Sequence, residues 1–370
     1  MIMRIAIIAP PFIPVPPVNY GGTELFIAHL ARGLTARGHR VTVFANGQSR
    51  LPCEVRWLYE EADWPLADPV NGTLKNLTHV AWAMREVSDH FDVVHLNDAM
   101  GTFFTPFANV PAVKTLHHPH EPALTELYRR HPQITYVAIS MDQRRREPLS
   151  RIRTIPHGID IEQYRFEARK GDYLAFLGRI APIKGTHVAV EVARASGLPL
   201  KIAGEIQPIF RDYWEREIEP HVDGRQIEYV GEVGFDAKNE LLAHARALLF
   251  PIEWDEPFGL VMIEAMACGT PVLALPGGSV REVVEDGITG YVCRDAADMA
   301  AHAVRLAIDP VDPMRCRRRA ETRFPVDLMV RRYEALFLEL ARSDRTSALR
   351  HFRARGLGAA RGPSQASPHA

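Results

Sequence analysis

The stretch LFPIEWDEPFGLVMIEAMACGTPVLAL, residues 249–275, decides which fold the sequence predicts. It begins with a short apolar segment, continues with helix-compatible residues, and ends with a second apolar segment at 272–275. Gly269 ends the predicted helix and Pro271 follows it, the usual order at a helix C-terminus. Pro257 suits the first helical turn, where its missing N–H needs no partner. The stretch therefore predicts a strand–helix–strand unit of a parallel α/β sheet, with its helix ending at Cys268.

Two carboxylates flank the predicted helix start. Glu256 and Glu264 have seven residues between them, which at ~1.5 Å per residue separates them by roughly 10 Å along a helix axis. The helix N-terminus between them offers free N–H groups and a partial positive charge, which suit a phosphate. A nucleotide diphosphate sugar would fit with its sugar near Glu256 and its ribose near Glu264. An ordinary strand–helix–strand unit with two surface carboxylates explains the same spacing equally well.

Composition limits the class of protein. The chain has 370 residues, 46% of them hydrophobic, which is enough for about two domains. A net charge of −1 gives no argument for a nucleic-acid partner. The four cysteines form no CxxC pair, so neither a disulfide framework nor a zinc site is expected. The N-terminus lacks the features of a signal peptide, and no apolar run approaches the ~18 residues of a membrane span. We therefore expect a cytoplasmic protein, either free or peripheral at the inner membrane face.

Short apolar strands alternate with amphipathic helices along the chain, a pattern typical of parallel sheets. The predicted strands are 4–9, 40–45, 92–96, 112–116, 134–139, 173–177, 200–203, 226–230, 247–251, 272–275 and 290–293. The predicted helices are 24–37, 74–90, 121–130, 186–195, 209–218, 237–244 and 260–268. Two doubly wound domains of this kind bind ligands at the carboxyl ends of their strands.

The predicted domains are 1–163 and 164–325, followed by a late helix at 326–342. The tail 343–370 is rich in Arg, Gly, Ser and Ala and has little apolar periodicity, which predicts disorder. We expect its arginines to be solvated; contact with anionic lipid is the alternative.

Two loops suit a phosphorylated ligand. Gly21 and Gly22, after the first strand, permit close approach of the backbone to a ligand. They form neither a GxGxxG nor a GxxxxGK[ST] motif, so a nicotinamide cofactor and the usual ATPase site are disfavoured. In FLGRIAPIKG, Arg179 and Lys184 lie five residues apart on one loop. Two cations so placed suit a leaving diphosphate, and solvated loop cations are the alternative.

The remaining polar clusters give no metal site and no catalytic assignment from their spacing alone. His117, His118 and His120 are poorly spaced for a metal, with no acid or cysteine set nearby, so no metal site is predicted. His157 is expected to cap a turn at the hinge. The arginine groups at 144–146 and 317–319 are expected to be solvated helix faces.

Several of these segments together resemble the retaining glycosyltransferases of family 4, which have the two-domain GT-B fold. The pair Glu256 and Glu264 and the exit GTPV match the donor-site signature of that family, and FLGRIAPIKG matches its diphosphate clamp. IPHGIDIEQY resembles its domain-crossing segment, although the family more often has Asn at the position of His157. The resemblance covers most of the chain. It implies two Rossmann-like domains facing each other across a cleft, with the helix 326–342 packing back on the first.

The resemblance also implies which residues form the site. His117, with His118 as the alternative, would contact the transferred sugar, Glu256 would hold its hydroxyls, and Glu264 would hold the ribose. The implied catalytic residues are Glu256, His117, Arg179 and Lys184, and the implied donor-binding residues are Gly21, Gly22, Arg179, Lys184, Val233, Lys238, Phe258, Gly259, Leu260 and Glu264.

The implied activity is transfer of a hexosyl unit from a nucleotide diphosphate sugar to an acceptor hydroxyl, with the anomeric configuration retained. The departing phosphate oxygen would take the acceptor proton, and Arg179 and Lys184 would stabilise the diphosphate, so no metal or other cofactor is expected. The acceptor would be a carbohydrate, a lipid-linked glycan or a small molecule. Glu256 and Glu264 are not expected to act as a glycosidase pair, whose carboxyls lie only ~5 Å apart.

Three alternatives share parts of this pattern. An epimerase on the same fold would release a changed sugar without an acceptor, a hydrolase would use water in place of the acceptor, and a phosphorylase would need a site for free phosphate. A non-catalytic sugar-nucleotide-binding or scaffold protein would be favoured by loss of Glu256, Arg179 or Lys184, and the chain has all three.

Overall fold

The computed structural model describes residues 1–19, 21–66, 68–87 and 90–358. Over these residues the chain forms two parallel sheets, each flanked by helices. The strands of the first sheet lie between residues 4 and 154, and those of the second between 174 and 292. The two-domain α/β architecture predicted from the sequence is therefore confirmed.

The first domain is built on a sheet of seven described strands in the order β3-β2-β1-β4-β5-β6-β7. These strands are β1 (Arg4–Ile8), β2 (Arg40–Ala45), β3 (Glu54–Trp57), β4 (Val93–Leu96), β5 (Ala112–Thr115), β6 (Thr135–Ala138) and β7 (Ile152–Thr154). The accompanying helices are α1 (Gly22–Ala36), α2 (Pro69–Val87), α3 (Pro122–Arg129) and α4 (Met141–Arg146).

The second domain is built on a sheet of six described strands in the order β10-β9-β8-β11-β12-β13. These strands are β8 (Leu174–Leu177), β9 (Leu200–Ala203), β10 (Ile227–Gly231), β11 (Ala247–Phe250), β12 (Val272–Ala274) and β13 (Gly290–Val292). The helices that follow in the chain are α5 (Thr186–Ser196), α6 (Arg211–Tyr213), α7 (Phe235–His244), α8 (Leu260–Ala267), α9 (Val280–Val283), α10 (Ala296–Arg305), α11 (Pro313–Arg323) and α12 (Val326–Gly358).

Strand order determines where a ligand can bind. In the first sheet the order reverses between β1 and β4, and in the second between β8 and β11. At such a reversal the loops leave the sheet in opposite directions and open a crevice at the carboxyl ends of the strands. The loops after β1, β4, β8 and β11 therefore border the two crevices.

The central strands were predicted because both of their faces are apolar. In β1 the four residues after Arg4 are fully buried, since helices cover the sheet on both sides. Strands β3 and β7 were not predicted: both are short edge strands with partly exposed residues. Helix α2 begins at Pro69, five residues before its predicted start at Leu74.

Helix α12 packs against α1 of the first domain, next to β1 and β2. The hydroxyl of Tyr333, on α12, lies 2.8 Å from Thr115 Oγ1 at the end of β5. The chain crosses between the domains at two adjacent segments, where Ile159 forms a parallel bridge with Pro325. Two backbone hydrogen bonds hold these segments together, from Ile159 N to Phe324 O and from Val326 N to Ile159 O.

Helix α12 continues to Gly358, beyond the predicted end of the late helix at residue 342, and the disorder predicted for the tail stays a prediction. The rest of that tail, residues 359–370, lies outside the described residues. Within the described part of the chain, no helix is both long enough and apolar enough to cross a bilayer.

Candidate active site

A cavity of about 360 Å³ lies where the two crevices face each other, and residues of both domains line it. The first domain contributes the loop after β1 and the residue that follows Leu116. The second contributes the loops after β8, β9, β10 and β11 and the start of α8. Every site residue expected from the sequence lines this cavity: Gly21, Gly22, His117, Arg179, Lys184, Val233, Lys238, Glu256, Phe258, Gly259, Leu260 and Glu264.

Glu256 is buried and shares one carboxylate oxygen between two donors. Lys184 Nζ lies 2.6 Å from Glu256 Oε2, and the indole N–H of Trp254 donates to the same oxygen at 2.9 Å. The Lys184 ammonium also lies 4.5 Å from the centre of the Trp254 ring, within the range of a cation–π interaction. The lysine expected to bind diphosphate is therefore paired with the carboxylate expected to bind sugar.

Glu264, on α8, is the centre of a second buried cluster. Lys238 Nζ lies 2.6 Å from Glu264 Oε1, and the Tyr164 hydroxyl donates to the same oxygen at 2.9 Å. Burial and the adjacent carboxylate raise the pKa of Tyr164, so its hydroxyl remains a donor. The Lys238 ammonium also lies 5.4 Å from the centre of the Phe235 ring. These contacts fix the Glu264 side chain at the wall of the cavity.

Arg179 has no carboxylate within ion-pair distance in the part of the chain that the structure describes, although the charge of Glu205 interacts with it electrostatically. Its Nη1 lies 3.4 Å from Gln207 Oε1, and its guanidinium lies 5.7 Å from the centre of the Phe210 ring. Among the described residues Arg179 forms no ion pair, and its buried Nε has no hydrogen-bond partner. Because a buried unpaired donor is costly, this guanidinium is suited to an anionic ligand.

His117 and His157 stack in the wall of the cavity, with ring centres 5.6 Å apart and planes inclined by 18°. His117 Nε2 lies 3.0 Å from Asn97 Oδ1, an oxygen that only accepts, so Nε2 carries the proton and Nδ1 is an acceptor. Burial lowers the pKa of His117 well below its ordinary value and that of His157 to about 3. Both rings are therefore neutral near pH 7.

The start of α8 faces the glycine loop of the first domain. Gly259 ends the loop after β11 with φ 75°, a left-handed conformation that favours glycine, and α8 begins at the next residue. A Cβ on Gly22 would lie 3.6 Å from Leu260 Cδ1, so the two loops meet across the cavity. In the first turn of α8 the N–H of Met262 donates to the carbonyl of Gly259 at 3.0 Å, whereas the N–H groups of Leu260 and Val261 have no acceptor one helical turn earlier and suit an anion.

Comparison with known proteins identifies the family. The model described as glycosyltransferase family 4 matches residues 20–163, and the model described as glycosyl transferases group 1 matches residues 160–323. The chain is a family 4-type glycosyltransferase. It is 29% identical over 363 residues to a glycogen synthase of Mycobacterium tuberculosis, covering 82% of this chain and 86% of that protein.

Solved structures agree with the fold of this glycosyltransferase. AviGT4, a glycosyltransferase involved in avilamycin A biosynthesis, is 25% identical and superposes with a TM-score of 0.69, covering 92% of this chain and 98% of that one. HepE from Anabaena, in complex with UDP-glucose, is 19% identical with a TM-score of 0.73, covering 91% and 100%. The GT-B fold predicted from the sequence is confirmed.

In this glycosyltransferase, side chains join the two domains on both sides of the cavity. The indole N–H of Trp64 donates to Glu205 Oε1 at 2.9 Å, and Glu205 also lines the cavity. On another side, the carboxylate of Glu282 accepts the backbone N–H groups of Met141 at 2.8 Å and Asp142 at 2.6 Å. These contacts link the two domains by hydrogen bonds.

The predicted geometry around Pro257 is wrong. Helix α8 begins at Leu260, so Pro257 lies in the preceding loop and is not in the first helical turn. The left-handed turn at Gly259 separates Glu256 from the helix, and the rise estimated along a continuous helix does not apply between Glu256 and Glu264. Both carboxylates nevertheless line the cavity.

The position of His117 differs from those of the two neighbouring histidines, His118 and His120. His118 Nε2 lies 2.8 Å from the Tyr128 hydroxyl, and His120 Nδ1 lies 3.1 Å from Glu147 Oε1. Neither lines the cavity, whereas His117 does. In the described part of the chain, no three His, Cys, Asp or Glu side chains are grouped to hold a metal ion.

Three residues at the cavity were either not predicted from the sequence or predicted in another role. His157 is not a turn cap: it is buried beside His117, and its ring meets Phe258 edge-on with centres 5.2 Å apart. Trp254 and Glu205 were not predicted. The aromatic position two residues before Glu256 was a usable signal for Trp254, whereas Glu205 becomes recognisable only when Trp64 is brought next to it.

The arginines at 317 and 319 are not solvated, contrary to the prediction. Arg317 Nη1 donates to the carbonyl oxygens of Tyr164 and Ala267, both at 2.9 Å. Arg319 Nη2 donates to the carbonyl of Glu282 at 2.8 Å. These side chains bind backbone carbonyls of the second domain because α11 packs against its helices, which the local sequence does not reveal.

Proposed function

We propose that this glycosyltransferase moves a hexosyl unit from a nucleotide diphosphate sugar to an acceptor hydroxyl, retaining the anomeric configuration and using no metal. The observation that carries the proposal is one cavity lined by the cations Arg179 and Lys184, by the start of α8, and by the carboxylates of Glu256 and Glu264.

In the proposed orientation the ribose of the donor lies at Glu264 and its sugar at Glu256. Glu264 accepts the ribose hydroxyls, because carboxylates bind vicinal hydroxyls by charge-assisted hydrogen bonds and this one is already fixed by Tyr164 and Lys238. The backbone around Val233 faces the base. HepE, a structural neighbour, has been solved with UDP-glucose, which supports a nucleotide-sugar donor for this chain as well.

The diphosphate is the group that gains charge when the glycosidic bond breaks. Arg179 and Lys184 bind it, and the N-terminus of α8 adds its partial positive charge. Arg179 is available without rearrangement, whereas Lys184 must leave Glu256 or share its three protons between both anions. This positive charge does the work that a divalent cation does in other transferases, so no cofactor is proposed.

The sugar lies between Glu256 and His117. Neutral His117 presents Nδ1 as an acceptor, and Glu256 accepts from the sugar hydroxyls. The bond from the anomeric carbon to the phosphate oxygen breaks, and the acceptor oxygen forms its bond on the same face of the sugar. The acceptor proton passes to the departing phosphate oxygen. The acceptor is a carbohydrate, a lipid-linked glycan or a small molecule, and it reaches the sugar from the first domain.

The test begins with binding and continues to transfer. Saturation-transfer NMR with UDP-, GDP- and ADP-sugars, with and without EDTA, is expected to show binding of at least one donor that EDTA does not change. Binding of none at millimolar concentration would contradict the proposal. With the donor known, NMR of the product is expected to show the same anomeric configuration, α or β, as the donor has. A changed free sugar formed without an acceptor would instead identify an epimerase.

A further inference from the structure

Trp254 contacts both charged groups of the catalytic pair. Its N–H donates to Glu256 Oε2 at 2.9 Å, and its ring centre lies 4.5 Å from the Lys184 ammonium. It also lines the cavity and is partly buried. No other described residue contacts both members of this pair through a hydrogen bond and a ring face.

The pair cannot stay unchanged when a donor binds. Lys184 Nζ lies 2.6 Å from Glu256 Oε2, and a bound diphosphate competes with the carboxylate for this ammonium. Among the described residues, the hydrogen bonds to the Glu256 carboxylate come from Lys184 and Trp254. When the lysine turns towards phosphate, the indole N–H remains and holds the carboxylate in place.

The loop that carries Trp254 is held in position by a neighbouring turn. A Cβ on Gly277 would lie 2.5 Å from the carbonyl oxygen of Trp254, so the two backbones are in close contact. The N–H of Ser279 donates to the carbonyl of Glu256 at 2.9 Å. The indole is therefore attached to a rigid segment, as a group that orients another side chain needs to be.

We propose that Trp254 is a positioning residue, which keeps Glu256 oriented towards the sugar hydroxyls while Lys184 is engaged by the diphosphate. This inference rests on the proposed function and adds a residue to it. Trp254 acts on the sugar through Glu256. Its loss therefore weakens recognition of the sugar part of the donor and leaves recognition of the nucleoside diphosphate largely intact.

The experiment compares the binding of two ligands to the purified full chain. Dissociation constants for UDP-, GDP- and ADP-glucose and for the matching nucleoside diphosphates are measured by calorimetry. Trp254→Phe keeps the ring beneath Lys184 and removes the N–H. Because a hydrogen bond to a charged group is lost, its affinity for the nucleotide sugar is expected to fall about 10- to 100-fold, and that for the diphosphate by less than about threefold. Trp57→Phe is the matched control, since Trp57 is half exposed and outside the cavity.

A double-mutant cycle tests whether Trp254 acts through Glu256. Once Glu256→Ala has removed the carboxylate, adding Trp254→Phe is expected to change nucleotide-sugar affinity by less than about threefold. An equal loss in both backgrounds, or equal weakening of both ligands by Trp254→Phe, would overturn the inference. If the wild type binds a nucleotide sugar and Trp254→Phe binds it equally well, the positioning role alone is wrong. Where the wild type binds no glucose derivative, the nucleotide sugar found by the NMR panel is used in its place; if the wild type binds no sugar of that panel, the proposed function and this inference both fail.

Discussion

Removing the Lys184 ammonium should strongly reduce turnover while leaving the protein folded. In Lys184→Ala, Glu256 keeps the Trp254 N–H, and the lost ion pair belongs to a side chain that is 18% exposed. At the transition state, the variant lacks one of the two side-chain cations that face the leaving diphosphate. Loss of one preorganised charge-stabilising group costs about 3–4 kcal/mol, which corresponds to a fall in kcat of roughly 10²- to 10³-fold.

The assay is steady-state release of nucleoside diphosphate at saturating donor and acceptor, with thermal unfolding of each variant measured alongside. Lys201→Ala is the matched control. Lys201 also lies over an aromatic ring, 4.7 Å from the centre of Tyr173, and its Nζ is 3.9 Å from Glu228 Oε2. It does not line the cavity, so its loss is expected to change kcat by less than about twofold.

A kcat within about threefold of the wild-type value in Lys184→Ala would refute the assignment, because the transition state would then gain almost nothing from this cation. A large loss in Lys201→Ala would also count against it, since the effect would then not be specific to the cavity. A fall in kcat with an unchanged melting temperature, seen in Lys184→Ala alone, is the expected result.

Three further predictions follow from other contacts. Glu264→Gln is expected to weaken binding of the nucleoside diphosphate itself about tenfold or more in calorimetry, because a charged acceptor for the ribose is lost; unchanged affinity would contradict the ribose role. Arg317→Ala should lower the free energy of unfolding, measured in urea, by about 2–3 kcal/mol, because two hydrogen bonds to carbonyl oxygens are lost. Arg318 is exposed, so Arg318→Ala is expected to change that free energy by less than about 0.5 kcal/mol. Equal effects of the two substitutions would contradict the role of the buried Arg317 contacts. Burial raises the pKa of Glu24 from 4.5 to about 7, so the folded protein binds the extra proton between these values. The stabilisation from this proton is therefore fully present below pH 4.5 and is lost as the pH rises through 7, which lowers the free energy of unfolding by roughly 3 kcal/mol. Urea titrations at several pH values measure this decrease, and Glu24→Gln is expected to remove it. The same decrease in the wild type and in the variant would show that Glu24 is not its source.

A strand can be predicted from the sequence when burial of its own residues is sufficient to identify it. The residues of β1 after Arg4 are apolar without interruption because both faces of a central strand are covered. The edge strand β3 carries Glu54 and Arg56 and buries none of its residues completely, so hydrophobicity gives no signal there. Its existence depends on pairing with β2, which is a property of the assembled sheet.

The same distinction applies to the site. Lys184 and Glu264 lie in short segments that resemble the donor-binding signatures of a known family, and both line the cavity. His157 gave no such signal, because its importance comes from stacking on a residue forty positions earlier in the chain. Arg317 looked like part of a charged helix face, and only the packing of α11 brings the Tyr164 carbonyl to it.

The paired crossings at Ile159 and Pro325 determine how this enzyme could be recombined. The second domain is one uninterrupted segment between two adjacent junctions, whereas the first domain needs both the N-terminal segment and α12, whose apolar face completes its core. A chimera made by a single cut near residue 160 would place a helix of another protein on the surface that Val330 and Phe337 cover. Exchange of the segment between the two junctions keeps α12 on its own domain, so the whole second domain can be replaced while the core of the first stays intact; under the proposed function, donor specificity is expected to move with that segment.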